Sequence, residues 1–75
     1  MARWEYQAWD IAYLADDGDD APHVVAIDSV QASAFQRLPL ALNAAGWLGW
    51  ELVSVVREPT EEFMLTLFLK RQILD

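Results

Sequence analysis

The chain has 75 residues, 55% of them apolar and four of them tryptophan, with a formal net charge of −7. That length allows one small domain over residues 1–75 with a marginal core. The acidic balance argues against nucleic acid and anionic membranes as partners, and the absence of cysteine removes disulfides, thiolate metal sites and cysteine nucleophiles.

The charge is concentrated early. Residues 1–28 hold Glu5, Asp10, Asp16, Asp17, Asp19, Asp20 and Asp28 against Arg3 alone, a distribution whose simplest role is solubility. No signal-peptide core follows Met1-Ala2-Arg3, and no apolar run approaches the ~20 residues that span a bilayer. The expectation is a cytoplasmic protein of bacterial type.

Arg3 to Leu14 is rich in aromatic and β-prone residues and predicts a strand. Asp16 to Pro22, with Gly18 at its centre, predicts a solvated connection. His23 to Ile27 then predicts a short strand, making the pair a hairpin. Phe35, Leu38, Leu42 and Ala45 recur at helical spacing. Ser33 with Gln36 resembles a capping box and favours an early helix start, whereas Pro39 favours a later one. The helix is placed at 34–45 with an irregular first turn, and Gly46 is expected at positive φ as its stop.

Within Leu42 to Val56 the apolar period changes from helical to strand-like, with Gly46 and Gly49 on either side of Trp47. Trp50 to Arg57 and Phe63 to Arg71 predict two strands joined through Glu58-Pro59-Thr60-Glu61. A four-residue turn sets Arg57 opposite Glu62. Trp50, Leu52, Ser54 and Val56 then share one face, expected to receive the helix. Trp4 and Trp50 are expected in the core. The predicted fold is α+β: a small antiparallel sheet of three to four strands with one helix on one face, in the order β-(β)-α-β-β.

Trp4-Glu5-Tyr6, the run Leu42-Asn43…Gly46…Gly49-Trp50-Glu51-Leu52-Val53, and Phe68-Leu69-Lys70-Arg71 together resemble the domain of unknown function 4177 family of small bacterial proteins. The resemblance covers most of the chain except roughly residues 15–33. It implies a compact strand–helix–hairpin domain and brings no established activity or catalytic residue. Trp47-Leu48 stands where such sequences often carry a small and a polar residue, which implies an added contact at this corner.

Candidate chemistry is sparse. Asp16, Asp17, Asp19 and Asp20 surround Gly18, but a calcium loop needs glycine sixth and glutamate twelfth; here glycine is third and Ile27 is twelfth. The loop reads as a hairpin tip, with a loosely bound divalent ion as the alternative. His23 has no second histidine or cysteine to share a metal, and Ser54 lacks the Gly-x-Ser-x-Gly turn of a nucleophile and is expected in the core. Gly46-Trp47-Leu48-Gly49 lacks the Lys-Ser/Thr of a phosphate loop. Glu51, expected directly opposite Phe68 and diagonal to Lys70, reads as half of a cross-strand ion pair with Lys70. No catalytic, cofactor-binding or metal residue is assigned.

The functional expectation is a non-enzymatic, self-associating structural or protein-interaction module. Its partner is a second copy, and another protein is a further candidate. Alternation places Trp9, Ile11, Tyr13, Val53, Val55, Met64 and Phe68 on an outer sheet face, with Glu5 and Gln7, rimmed by Glu51, Arg57, Glu62 and Lys70. Trp47 is a further interface candidate. Gly46, Gly49, Trp50 and Leu52 are assigned structural roles. The competing expectation is a ligand-binding or enzymatic domain whose pocket forms between subunits, with Glu51 near Tyr6 or Tyr13 beside Trp9.

Overall fold

The computed structural model describes residues 3–16, 18–57, 59 and 64–73. Its elements are β1 (Arg3–Asp16), β2 (Asp19–Ile27), β3 (Val30–Arg37), α1 (Leu38–Trp47), β4 (Glu51–Arg57) and β5 (Met64–Ile73). The strands form one five-stranded antiparallel sheet in the order β3-β2-β1-β5-β4. The expected three to four strands are therefore corrected to five. The additional strand is β3, whose last residues carry the helical spacing and the apparent cap. Its own signal is the alternation of Val30, Ala32 and Ala34 with Gln31 and Ser33, which is strand-like.

Two tight turns shape the first three strands. Asp16 and Asp19 form the last pair of the β1–β2 ladder, with Gly18 at φ 88° beside them. Asp28 and Ser29, at φ 51° and 68°, have the paired positive φ of a two-residue hairpin turn. Asp28 is also tied to the central strand. Its N–H donates to the Ala8 carbonyl at 2.7 Å, and its Oδ1 accepts from the Ala8 N–H at 2.8 Å. Pro22 pairs with Tyr13 on β1, while the β2–β3 ladder reaches only His23. Proline thus sits where its second edge has no ladder hydrogen bond to give.

The helix follows β3 without a loop. It begins at Leu38 with Pro39 in its first turn, so the later start that proline favours is the one adopted. Its stop is Gly49, not Gly46. The Trp50 N–H donates to the Ala45 carbonyl and the Gly49 N–H to the Gly46 carbonyl, both at 3.0 Å. Gly49 is at φ 90° and Gly46 is inside the helix. This is the Schellman pattern, with the left-handed glycine one residue before the returning hydrophobe.

α1 carries the chain from the β3 edge to the β4 edge and packs over β2 and β3. Ala41 and Ala45 meet Trp9, Ile11, Val24, Leu67 and Leu69 in the core, with Trp50 packed against it. Ile11 is fully buried, and Trp9 is 4% exposed. Among the described residues no helix is long and apolar enough to cross a membrane.

The β4–β5 register also differs from expectation. Arg57 pairs with Leu65 rather than Glu62, and Glu51 with Lys70 rather than Phe68. The chain between the paired ends is longer than a four-residue turn, and Val53 is a bulge between the Leu52–Leu69 and Ser54–Phe68 pairs. A bulge adds one residue and reverses the facing of the residues beyond it. Ser54 and Val56 consequently join Phe68 and Thr66, and Val55 joins Leu67. Glu62, Phe63 and the predicted turn residues Glu58, Thr60 and Glu61 lie outside the described residues.

Candidate functional site

Directly paired residues of an antiparallel ladder share a face, so the register sorts every side chain. On the face under the helix lie Glu5, Gln7, Trp9 and Ile11 of β1, opposite Arg71, Leu69, Leu67 and Leu65 of β5. On the open face lie Trp4, Tyr6, Ala8, Asp10 and Ala12, with Gln72, Lys70, Phe68, Thr66 and Met64.

Each face carries a cation held by an indole and a carboxylate. Under the helix, the Arg71 guanidinium carbon sits 4.6 Å from the Trp50 ring centroid, and the guanidinium pairs with Glu5. Arg71 also donates from an Nη to the Leu48 carbonyl at 3.2 Å. A Cβ on Gly49 would lie 3.4 Å from the Arg71 Cδ, an ordinary contact, so it is the φ of 90° and not the arginine stem that calls for glycine there. On the open face, Lys70 Nζ lies 4.3 Å from the Trp4 centroid and 3.5 Å from Glu51. Cation–π contacts at exposed sites are worth about 0.5–1 kcal/mol. The arginine cluster has the stronger geometry because the planar fork spreads its donors over two acceptors. Sequence reasoning missed Glu5 and Arg71 as partners. Their signal is that they extend the alternation Gln7, Trp9 and Leu69, Leu67 by one step.

The expected interface residues do not share one face. Trp9 and Ile11 are core residues. Tyr13 and Val55 are exposed on the Trp9 side, Val53 is the exposed bulge, and Met64 and Phe68 are on the open face. Trp4, expected in the core, is 41% exposed. Both alternating sets of β1 are rich in large apolar residues, so hydrophobicity alone does not choose between them. The covered face is chosen where β5 offers leucines and the helix offers alanines. Of the structural set, Trp50 is half-buried beside the core, whereas Leu52 is exposed opposite Leu69. Ser54 is exposed on the open face, not in the core.

The open face has no described helix across it. Trp4, Tyr6 and Phe68 form an exposed apolar run over β1 and β5, continued on β4 by Val56. Thr66 donates a 3.4 Å hydrogen bond to Asp10 across the same face. Trp47 is 91% exposed at the end of the helix.

A cavity of about 260 Å³ lies between α1 and the sheet. Trp9, Trp50 and Gln7 line it from the sheet side, with Ala32 and Ala34 of β3 and Ala41, Ala44 and Ala45 of α1 around them. Trp9 Nε1–H donates to Gln7 Oε1 at 2.9 Å.

Reactive groups are dispersed. His23, on β2, is buried with its Nδ1 2.8 Å from the Ala21 carbonyl. It is separated from Ser54 on β4 by two intervening strands, about 14 Å at ordinary strand spacing. Among the described residues no group of three or more His, Asp or Glu side chains could hold a metal ion. Asp17 and the side chain of Asp16 lie outside them, and Asp19 and Asp20 are exposed at the start of β2. Compared with protein-family models, curated proteins and solved structures, the chain matches none.

Proposed function

We propose that the protein is a non-enzymatic, self-associating module that pairs with a second copy through the open face of its sheet. The carrying observation is the exposed run of Trp4, Tyr6, Phe68 and Val56 on a face that no described element covers. Soluble monomers seldom leave apolar patches larger than a few hundred Å². The molecule is a slab of 47 × 26 × 19 Å, so its broad face exceeds the roughly 800 Å² per partner of a standard interface. Lys70 and Glu51 at one end supply charge at the margin, as interface rims commonly do. A two-fold dimer of packed sheets would bring two such faces together. Membership of the domain of unknown function 4177 family and a cytoplasmic setting belong to the same reading; the supports are the Gly49-to-Val53 and Phe68-to-Arg71 motifs and the lack of a membrane-crossing helix among the described residues.

Light scattering at micromolar protein is expected to report a dimer. Phe68→Glu and Tyr6→Glu should give folded monomer, whereas Val55→Glu, on the other face, should still dimerise. A wild type that stays monomeric at millimolar concentration overturns the proposal.

A further inference from the structure

We infer that the cavity between α1 and the sheet is a binding site for a neutral, flat, bicyclic molecule bearing one hydrogen-bond acceptor. This goes beyond self-association and does not depend on it, because the cavity belongs to a single chain and opens on the opposite face.

Size comes first. The space is a cleft of about 260 Å³, open to solvent on the side of Ala34 and Ala44. An apolar cavity of about 150 Å³ takes a benzene ring, so by proportion this one takes about ten non-hydrogen atoms. The sequence itself makes the space. Where α1 passes over β3, small side chains leave the space open, Ala34 on the strand and Ala44 on the helix among them, with Gln36 and Leu48 also lining it. Both alanines are exposed, so they form the mouth through which a ligand enters.

The walls set its shape. Trp50, half-buried, offers an indole surface, and Trp9, 4% exposed, closes the floor beside it, which favours a flat aromatic partner. Both are held in place beforehand: Trp9 by its hydrogen bond to Gln7 and Trp50 by the Arg71 guanidinium. Such preorganisation lowers the ordering cost of binding.

Gln7 sets its polarity. An indole N–H is only a donor, so Trp9 must face the oxygen of the Gln7 amide. The amide NH₂ is thereby committed to the other direction, and among the described residues no acceptor is paired with it. A carbonyl or ether oxygen on the ligand would take that donor. Charge is disfavoured, because no ionisable side chain lines the space and a buried ion without a partner is costly.

A matched series tests each element. 1-Indanone is a neutral bicyclic ketone of the right size; indane lacks the acceptor, and 1-aminoindane carries a positive charge at neutral pH. Titration calorimetry and thermal shift on the full chain are expected to show saturable one-to-one binding of 1-indanone. Indane should bind about three- to tenfold more weakly, the worth of one hydrogen bond, and 1-aminoindane more weakly still. Ala34→Leu and Ala44→Leu, which fill the mouth, should abolish 1-indanone binding while the protein still melts cooperatively. Should either fail to fold, Gln7→Met gives the second reading: it should bring 1-indanone down to the affinity of indane. Phe68→Glu should bind 1-indanone as wild type does. The inference is overturned if 1-indanone does not bind at millimolar concentration, if the leucine variants bind it unchanged, or if Phe68→Glu alone removes binding, which would place the ligand on the open face.

Discussion

The two faces of the sheet are made from the same strands, and alternate residues of β1 and β5 serve one or the other. Beneath the helix, Trp9, Ile11, Leu67 and Leu69 are buried; across the sheet, Trp4, Tyr6 and Phe68 are exposed. The difference is not one of hydrophobicity. The covered set faces small helical side chains, Ala41 and Ala45, that allow close approach. The open set ends in Lys70 and Glu51, which give Trp4 a charged partner in place of a second layer. A sheet face becomes a core where a neighbouring element fits it, and an apolar face without one is left for another molecule.

The largest contrast should come from paired truncations on β5. Leu67→Ala removes a fully buried side chain and is expected to cost about 2–5 kcal/mol, whereas its neighbour Phe68→Ala should cost about 1 kcal/mol or less in the monomer. Urea denaturation at concentrations low enough to keep the chain monomeric reads both, and equal costs would erase the distinction between the faces.

The two glycines of the corner give the next contrast, with opposite signs. Gly49→Ala forces a side chain into a positive-φ position and should destabilise by about 1–2 kcal/mol. Gly46→Ala, inside the helix with open space around its Cβ position, should stabilise by about 0.5–1 kcal/mol. Thermal melts would show the first shift down and the second up.

The smallest contrast lies between the two cation clusters. Glu5→Gln weakens the Arg71 pair, whose side chains are about one-third exposed; solvent screening holds the expected loss to about 0.5–1 kcal/mol. Glu51→Gln weakens a pair whose carboxylate is 60% exposed, and should cost less than about 0.5 kcal/mol. Raising the salt concentration should narrow the gap between the variants, since exposed pairs are screened.

The last two strands are legible in the sequence because apolar and β-branched residues run through each between turn residues. The helix is legible from Leu38 onward for its spacing and for Pro39. Its start is obscured because Ser33 and Gln36 imitate a cap while Phe35 falls in phase with Leu38 and Leu42. The turn before β3 carries Asp28-Ser29, a weaker hairpin signal than Asn-Gly, so only the alternation from Val30 to Ala34 marks the strand behind it. The helix stop is legible as a residue type but not as a position, because Gly46-Trp47-Leu48-Gly49 offers two glycines and only the backbone hydrogen bonds distinguish them. On β4 the sorting of faces fails through Val53. A bulge leaves no mark on composition, yet it exchanges the faces expected of Ser54 and Val55. The cavity is illegible for a related reason: the alanines that create it are adjacent only once β3 and α1 are stacked.

The central strand β1 is separated in sequence from one of its two neighbours, β5, by the whole of β2, β3, α1 and β4. Pairs between β1 and β5 run from Ala12 with Met64 to Arg3 with Ile73, so they join opposite ends of the sequence. The β1–β2–β3 meander closes through short turns and can form early, but β1 keeps one bare edge until β5 arrives. Assembly dominated by such distant pairing is slow, on the order of milliseconds to seconds. During synthesis that edge is an open template for other nascent chains. The run of carboxylates in the first 28 residues gives each waiting chain a like charge that holds its neighbours apart.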